Sequence, residues 1–197
     1  MKLSKKGEYA LRSLINLGIA AEVERELVQV AALAKSERLP VKFLEQIFQA
    51  LKEAGLVESQ RGKFGGYRLA KPAREITIGQ VVRLIDGPLA PIGCVSQSAY
   101  TRCTCPDETH CGLRMLMLDV RNAIAGILDR YTLADVVEIT LRKLRRNGVP
   151  LPFSAEAAAK RRTRNPSVAR RGARRPARNR LHETEGVLHQ ILGEYSI

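Results

Sequence analysis

Residues 40–70 read PVKFLEQIFQALKEAGLVESQRGKFGGYRLA. Phe43, Leu44, Ile47, Phe48 and Leu51 fall on one side of a 3.6-residue period. The first half is therefore an amphipathic helix, with Pro40 suited to its first turn and Gly55 where a helix stops. LVESQ and YRLA then read as two short strands, and the intervening RGKFGG has the glycines of a tight hairpin turn, with Arg61 and Lys63 near its tip. A helix leading into a basic hairpin is half of a DNA-binding pattern, and the segments before it decide whether the pattern is complete.

Two helices precede it. In LSKKGEYALRSLINLGIA, the positions Leu3, Ala10, Leu14, Leu17 and Gly18 recur at three, four and seven, which predicts a first helix over about Ser4 to Ala21. VQVAALAKSE predicts a short second helix, and RLP a tight connection to the third. Three helices followed by a basic hairpin describe a winged helix-turn-helix. In that arrangement the third helix can enter the major groove while the hairpin meets phosphate or the minor groove.

Beyond the wing, Thr77 is placed to cap a helix IGQVVRLID that closes at Gly87, so a DNA-binding domain covers residues 1–87. A loop spans 88–111. From Gly112 the apolar residues Leu113, Leu116, Val120, Ile124, Ile127 and Tyr131 recur at three and four over about five turns. A helix this long leaving a small domain is expected to lie along its counterpart in a second subunit, the alternative being a return onto helix one. The capping-box pair Thr132 and Asp135 opens a final helix that ends near Gly148, so residues 112–148 hold the dimerisation helix and its successor. The expected class is mainly α with a small β-hairpin wing.

The formal charge is +13 over 197 residues, and both the first 150 residues and the remainder of the chain carry it. Residues 1–150 hold 23 Lys and Arg against 16 acids, and residues 151–197 hold 10 against 4. This excess favours a polyanionic partner, nucleic acid above all. The run from Lys160 to Arg180 contains ten basic residues and no acid, so the tail at 149–197 is expected to be disordered, either clamping phosphate or standing in solvent. The opening lacks the apolar stretch of a secretory signal, and no run approaches the roughly 18 apolar residues of a membrane span. These features predict a cytoplasmic protein without membrane association.

All four cysteines, Cys94, Cys103, Cys105 and Cys111, lie inside the loop. In a reducing compartment such clustering points to metal binding, redox sensing or catalysis rather than structural cross-links. The polar PDET and SQSAYTR between them offer no apolar face that would bury four unrelated thiols. An enzyme is not expected, because the ordered region has His110 as its one histidine and no converging acid, base and nucleophile.

LSKKGEYALRSL, LPVKFLEQIFQALKEAGLVESQRGKFGGYRLAKP and ITIGQVVRLIDGPLAP together resemble the bacterial winged helix-turn-helix regulators that include IscR, NsrR and CymR, the Rrf2 family. The likeness covers about residues 1–145 and leaves the basic tail outside. It implies a homodimeric transcription regulator, commonly a repressor, on double-stranded DNA with an imperfectly palindromic operator. By position in the motif, Lys42, Glu45 and Gln46 are implied to be recognition-helix residues, and Arg61 the wing arginine that enters the minor groove. The chemistry agrees: glutamine reads an adenine edge, glutamate accepts from cytosine N4, and arginine suits a narrow electronegative groove.

The resemblance also implies an iron-sulfur cluster in the cysteine loop, of two-iron or four-iron type, because family members hold one on three cysteines there. Their common spacing is C-x5-C-x5-C. Here the intervals are eight, one and five residues, so only the last matches. Cys105 and Cys111 are then the first ligand candidates, Cys94 the third, and Cys103 a fourth ligand or spare thiol. Arg114 stands where one branch has a histidine, and Glu8 stands where another places an acidic ligand from the partner subunit. Zinc on the four thiolates, a Cys103–Cys105 disulfide switch, and metal-free reactive thiols are the alternative readings. The expected function is a DNA-binding regulator whose affinity is tuned by that loop. A general basic RNA-binding protein is the rival class.

Overall fold

The computed structural model describes residues 2–62 and 64–154. Lys63, the basic run Lys160–Arg180 and the rest of the tail lie outside the described residues. The chain forms α1 (Lys5–Glu22), α2 (Val30–Glu37), α3 (Val41–Glu53), β1 (Val57–Gln60), β2 (Gly66–Leu69), α4 (Ile78–Asp86), α5 (Gly112–Arg130) and α6 (Leu133–Arg146), with single 3-10 turns at Ala73–Glu75 and Gly93–Val95. The mainly helical class with a hairpin wing is what the structure has.

Local chemistry sets the ends of these elements. Ser4 caps α1 by accepting from the Gly7 amide at 3.0 Å, and its own amide donates to Asp86 Oδ2 at 2.8 Å, which ties the start of α1 to the end of α4. A Cβ on Gly7 would lie 2.5 Å from the same carboxylate, so a side chain at residue 7 would require the Asp86 carboxylate to move. Thr77 caps α4, accepting from Gln80 N at 3.1 Å. Thr132 and Asp135 complete a reciprocal capping box on α6.

The hairpin pairs Val57 with Leu69 and Gln60 with Gly66, antiparallel. A third backbone segment joins it: Val28 and Tyr67 exchange both amide bonds, at 3.0 and 2.9 Å. The loop before α2 is thereby stitched to the base of the wing. One core runs through these elements, with Leu14, Leu33, Leu44, Ile47, Phe48, Leu51, Leu56, Ile76 and Leu133 all fully buried. Each such side chain contributes about 1.5–3 kcal/mol of burial.

It is α6, through Val137 and Leu141, that returns to this core and crosses α1 at Gly18. The long helix α5 instead rests on α4 and on the Gly93–Val95 turn. None of its residues is buried within one copy. Val120 and Ile124 are half covered, whereas Leu113, Met115, Leu116 and Ile127 are exposed.

Candidate nucleic-acid interface and cysteine loop

On α3 the buried row Leu44, Ile47, Phe48 and Leu51 is opposed by an exposed row of Lys42, Glu45, Gln46 and Gln49. The expected recognition residues therefore share one solvent face. Gln49 belongs to the same face and was not singled out from sequence, although its place seven residues after Lys42 would have found it. It donates to Glu53 Oε1 at 2.7 Å.

The helix pair is rigidly framed. Arg38 takes a left-handed conformation, φ 57°, at the end of α2, and Leu39 N donates back to Ala34 O at 2.9 Å. From α1, Arg12 Nε donates to Glu37 Oε2 at 2.6 Å and Asn16 Nδ2 to Glu37 Oε1 at 2.9 Å, locking the end of α2 against α1. These bonds fix the angle at which α3 is presented.

The wing tip spans residues 61–65, with Arg61 exposed. Gly65 N donates to Gly62 O at 2.9 Å, closing a four-residue turn. A Cβ on Gly65 would sit 2.2 Å from Gln60 O, so only glycine fits. Below the tip, Arg68 pairs with Glu58 across the strands.

The loop after α4 holds the cysteines in different settings. Cys94 is buried in the Gly93–Val95 turn, which Thr101 N secures by donating to Gly93 O at 3.1 Å. Cys111 is half-buried and is the residue that starts α5, without a side-chain cap bond. Cys103 and Cys105 are joined by a disulfide, and Cys94 and Cys111 are free.

A polar frame surrounds them. Tyr100 donates its hydroxyl to Glu108, with oxygens at 2.8 and 2.9 Å, and the adjacent carboxylate pushes the phenol above its ordinary value. Arg114 of α5 also reaches Glu108, at 3.1 Å. Asp107 is held below the usual carboxylate range, chiefly by its contact with His110 Nδ1 at 2.5 Å, and it also accepts from the Thr109 and His110 amides.

The donor set fits neither an iron-sulfur cluster nor zinc as placed. Among the described residues no three His, Cys, Asp or Glu side chains gather where one metal ion could be held. A cysteine sulfur in a disulfide is not the thiolate that ligation needs. Glu8 is engaged elsewhere, paired with Lys5 at 2.7 Å and Arg12 at 3.4 Å, and Lys5 keeps its carboxyl below the usual range.

Residues 3–139 match the model of the Rrf2 family, described as "Iron-dependent Transcriptional regulator". The chain is 39% identical over 139 residues to an HTH-type, rrf2-like transcriptional regulator of Rhodobacter capsulatus, covering 68% of this chain and 91% of the relative. It is 31% identical over 138 residues to the transcriptional regulator IscR of Vibrio atlanticus, covering 70% and 76%. Its fold is similar to that of CymR, the global cysteine regulator of Bacillus subtilis, with TM-score 0.59 and 29% identity over 71% of this chain and 98% of that one. No helix among the described residues is long and apolar enough to cross a membrane.

Proposed function

The chain belongs to the Rrf2 family of transcriptional regulators, and from that premise we propose that it acts as a homodimer on a palindromic DNA operator, most simply as a repressor. The observation that carries this reading is the split of α3 into a fully buried apolar row and an exposed polar row beside the wing. Lys42, Glu45 and Gln46 would meet base edges or phosphate in the major groove, and Arg61, with Lys63, would meet the adjacent minor groove. The exposed Leu113, Leu116 and Ile127 on α5 support a second copy as the cover for that stripe.

The sensor reading favoured by the geometry is thiol chemistry in the 88–111 loop. Cys103 and Cys105 are already joined, and closely spaced thiols inside cells commonly serve redox sensing. Joining them releases two protons and two electrons, and hydrogen peroxide accepting these leaves as two waters. The loop connects α4 to α5, so its state can alter how the two recognition helices are spaced.

The iron-sulfur reading rests on the family description and on four thiols within one loop. A cluster on Cys94, Cys105 and Cys111 requires the Cys103–Cys105 bond to be open, so metal and disulfide are exclusive states of one segment.

The test is fluorescence anisotropy on duplexes that the protein itself enriches from a random library, with thiol-reduced and peroxide-treated protein, and with single-stranded RNA as competitor. Preference for a palindromic duplex and a redox-dependent affinity are expected. Preference for RNA would overturn the regulator reading, and equal affinity of the two states the sensor reading. An anaerobic absorption spectrum with iron, sulfide and zinc assays decides between cluster, zinc and free thiols.

A further inference from the structure

Between α1, the base of the wing and α6 lies an open groove of about 920 Å³, a size within the range of small-molecule sites. Short side chains make it. α6 meets α1 where Gly18 faces Val137, so closely that a Cβ on Gly18 would lie 2.5 Å from Val137 Cγ2. Around that crossing stand Ala21 on α1, Ala70 and Ala73 in the link after β2, and Ala134 on α6. Side chains of a single carbon leave the space between these segments unfilled.

The floor is apolar and the rim is charged. Val137 and Leu141 of α6 are buried, and the half-buried Leu69 of β2 lines the same groove. On the rim, Arg68 pairs with Glu58 across the strands, and Arg142 pairs with Glu138 one turn back along α6 at 2.6 Å. These two pairs take up four of the seven charged side chains that border the groove and leave two cations, Lys71 and Arg145, against one acid, Glu22. Among the described residues neither the Lys71 ammonium nor the Arg145 guanidinium has a partner. Lys71 comes from the link that follows the wing and Arg145 from the last turn of α6, so an anion between them would bridge two separate elements.

The balance of charge selects the kind of occupant. A surplus of one positive charge suits a single negative charge. The three acids on the rim would repel the neighbouring phosphates of a nucleic-acid strand, and two of them are already committed to arginines, so a divalent cation finds too few ligands. We propose that this groove binds a small organic monoanion with an apolar body, of the aromatic or branched carboxylate class. Its carboxylate accepts charge-assisted hydrogen bonds from Lys71 and Arg145, and its body covers Val137, Leu141 and Leu69.

The experiment titrates the isotopically labelled full chain, without DNA, with cinnamate as the probe and cinnamyl alcohol as its uncharged counterpart, and follows amide chemical shifts. Cinnamate should saturate with a dissociation constant of about 1 mM or tighter, the scale reached by an efficient ligand of its size. The shifted amides should include Ala70, Ala73 and Ala134. Cinnamyl alcohol should bind several-fold more weakly. Lys71→Gln combined with Arg145→Gln should weaken cinnamate by about tenfold, the scale of a hydrogen bond to a charged group. Arg146→Gln removes a neighbouring cation that does not border the groove, and it should leave the affinity within about twofold. Circular dichroism establishes that each variant is folded, and the comparison of acid with alcohol uses the wild-type chain alone. Absence of saturation at about ten times the expected constant overturns the proposal. Shifts confined to the exposed Leu113, Met115 and Leu116 of α5 also overturn it, as does equal affinity for acid and alcohol or a double variant that binds like wild type.

Discussion

Arg83 on α4 holds Asp129 on α5 with both arms of its guanidinium, Nη1 to Oδ1 at 2.5 Å and Nη2 to Oδ2 at 2.6 Å. The carboxylate sits over Gly79, where a Cβ would lie 2.0 Å from Oδ1. The long helix is thus docked onto the winged domain by one two-pronged ion pair over a bare patch of α4.

That pair carries a pH signature. The Arg83 hydrogen bonds hold the Asp129 carboxyl below the usual carboxylate range. A depressed folded pKa means that the stabilisation is fully present above the unfolded value of about 3.9 and is lost as pH falls through the lower folded value. Both side chains are more than a third exposed, so Asp129→Asn should cost no more than about 1 kcal/mol at neutral pH. In acid titrations followed by circular dichroism, the gap between wild type and variant should narrow as pH falls below the ordinary carboxylate range. A gap that stays constant through that range would sink this assignment.

Gly18 allows α6 to cross α1. A Cβ there would lie 2.5 Å from Val137 Cγ2, and a branched side chain on a helix has little rotamer freedom with which to retreat. Gly18→Ala should destabilise by about 1–3 kcal/mol in urea denaturation, despite the better helix propensity of alanine. Val137→Ala introduced with it should return part of that loss. Simple additivity of the two changes would contradict the contact.

Leu116 is more than half exposed in the middle of the uncovered α5 stripe. On the homodimer proposed above, with α5 as its contact, Leu116→Asp should be a monomer where the wild type is a dimer in light scattering coupled to size exclusion, with weaker operator binding. A monomeric wild type would overturn the dimer, and a variant that keeps a dimeric mass at micromolar concentration would place its contact elsewhere.

Thiol counting tests the loop directly. Protein prepared without reductant, then denatured and alkylated, should take label at Cys94 and Cys111 alone, and at all four cysteines after reduction. Peptide mapping reads the sites. Four labels before reduction would show that the Cys103–Cys105 bond is absent from the protein as isolated.

Much of the winged domain could be read before any coordinates. The stripe on α3, the cap residues Thr77 and Thr132, and the stop at Gly55 act over one or two helical turns, and such local rules leave a mark in a single stretch of sequence. The exposed placement of Lys42, Glu45 and Gln46 follows from the same period once Leu44, Ile47 and Phe48 are assigned inward. Gln49 was within reach of that argument too.

Other features leave no such mark. The exchange of bonds between Val28 and Tyr67, the grip of Arg12 and Asn16 on Glu37, and the return of α6 rather than α5 to α1 join residues far apart in the chain. The cysteine window left several readings open, among them Cys105 and Cys111 as cluster ligands and a Cys103–Cys105 disulfide, and the structure joins Cys103 to Cys105. Local periodicity, caps and turn chemistry by themselves determined the helices, the wing and the polar face of α3. Only tertiary packing decided how α3 is angled and which helix closes the core, because those outcomes depend on distances between segments whose separation in sequence carries no geometric information.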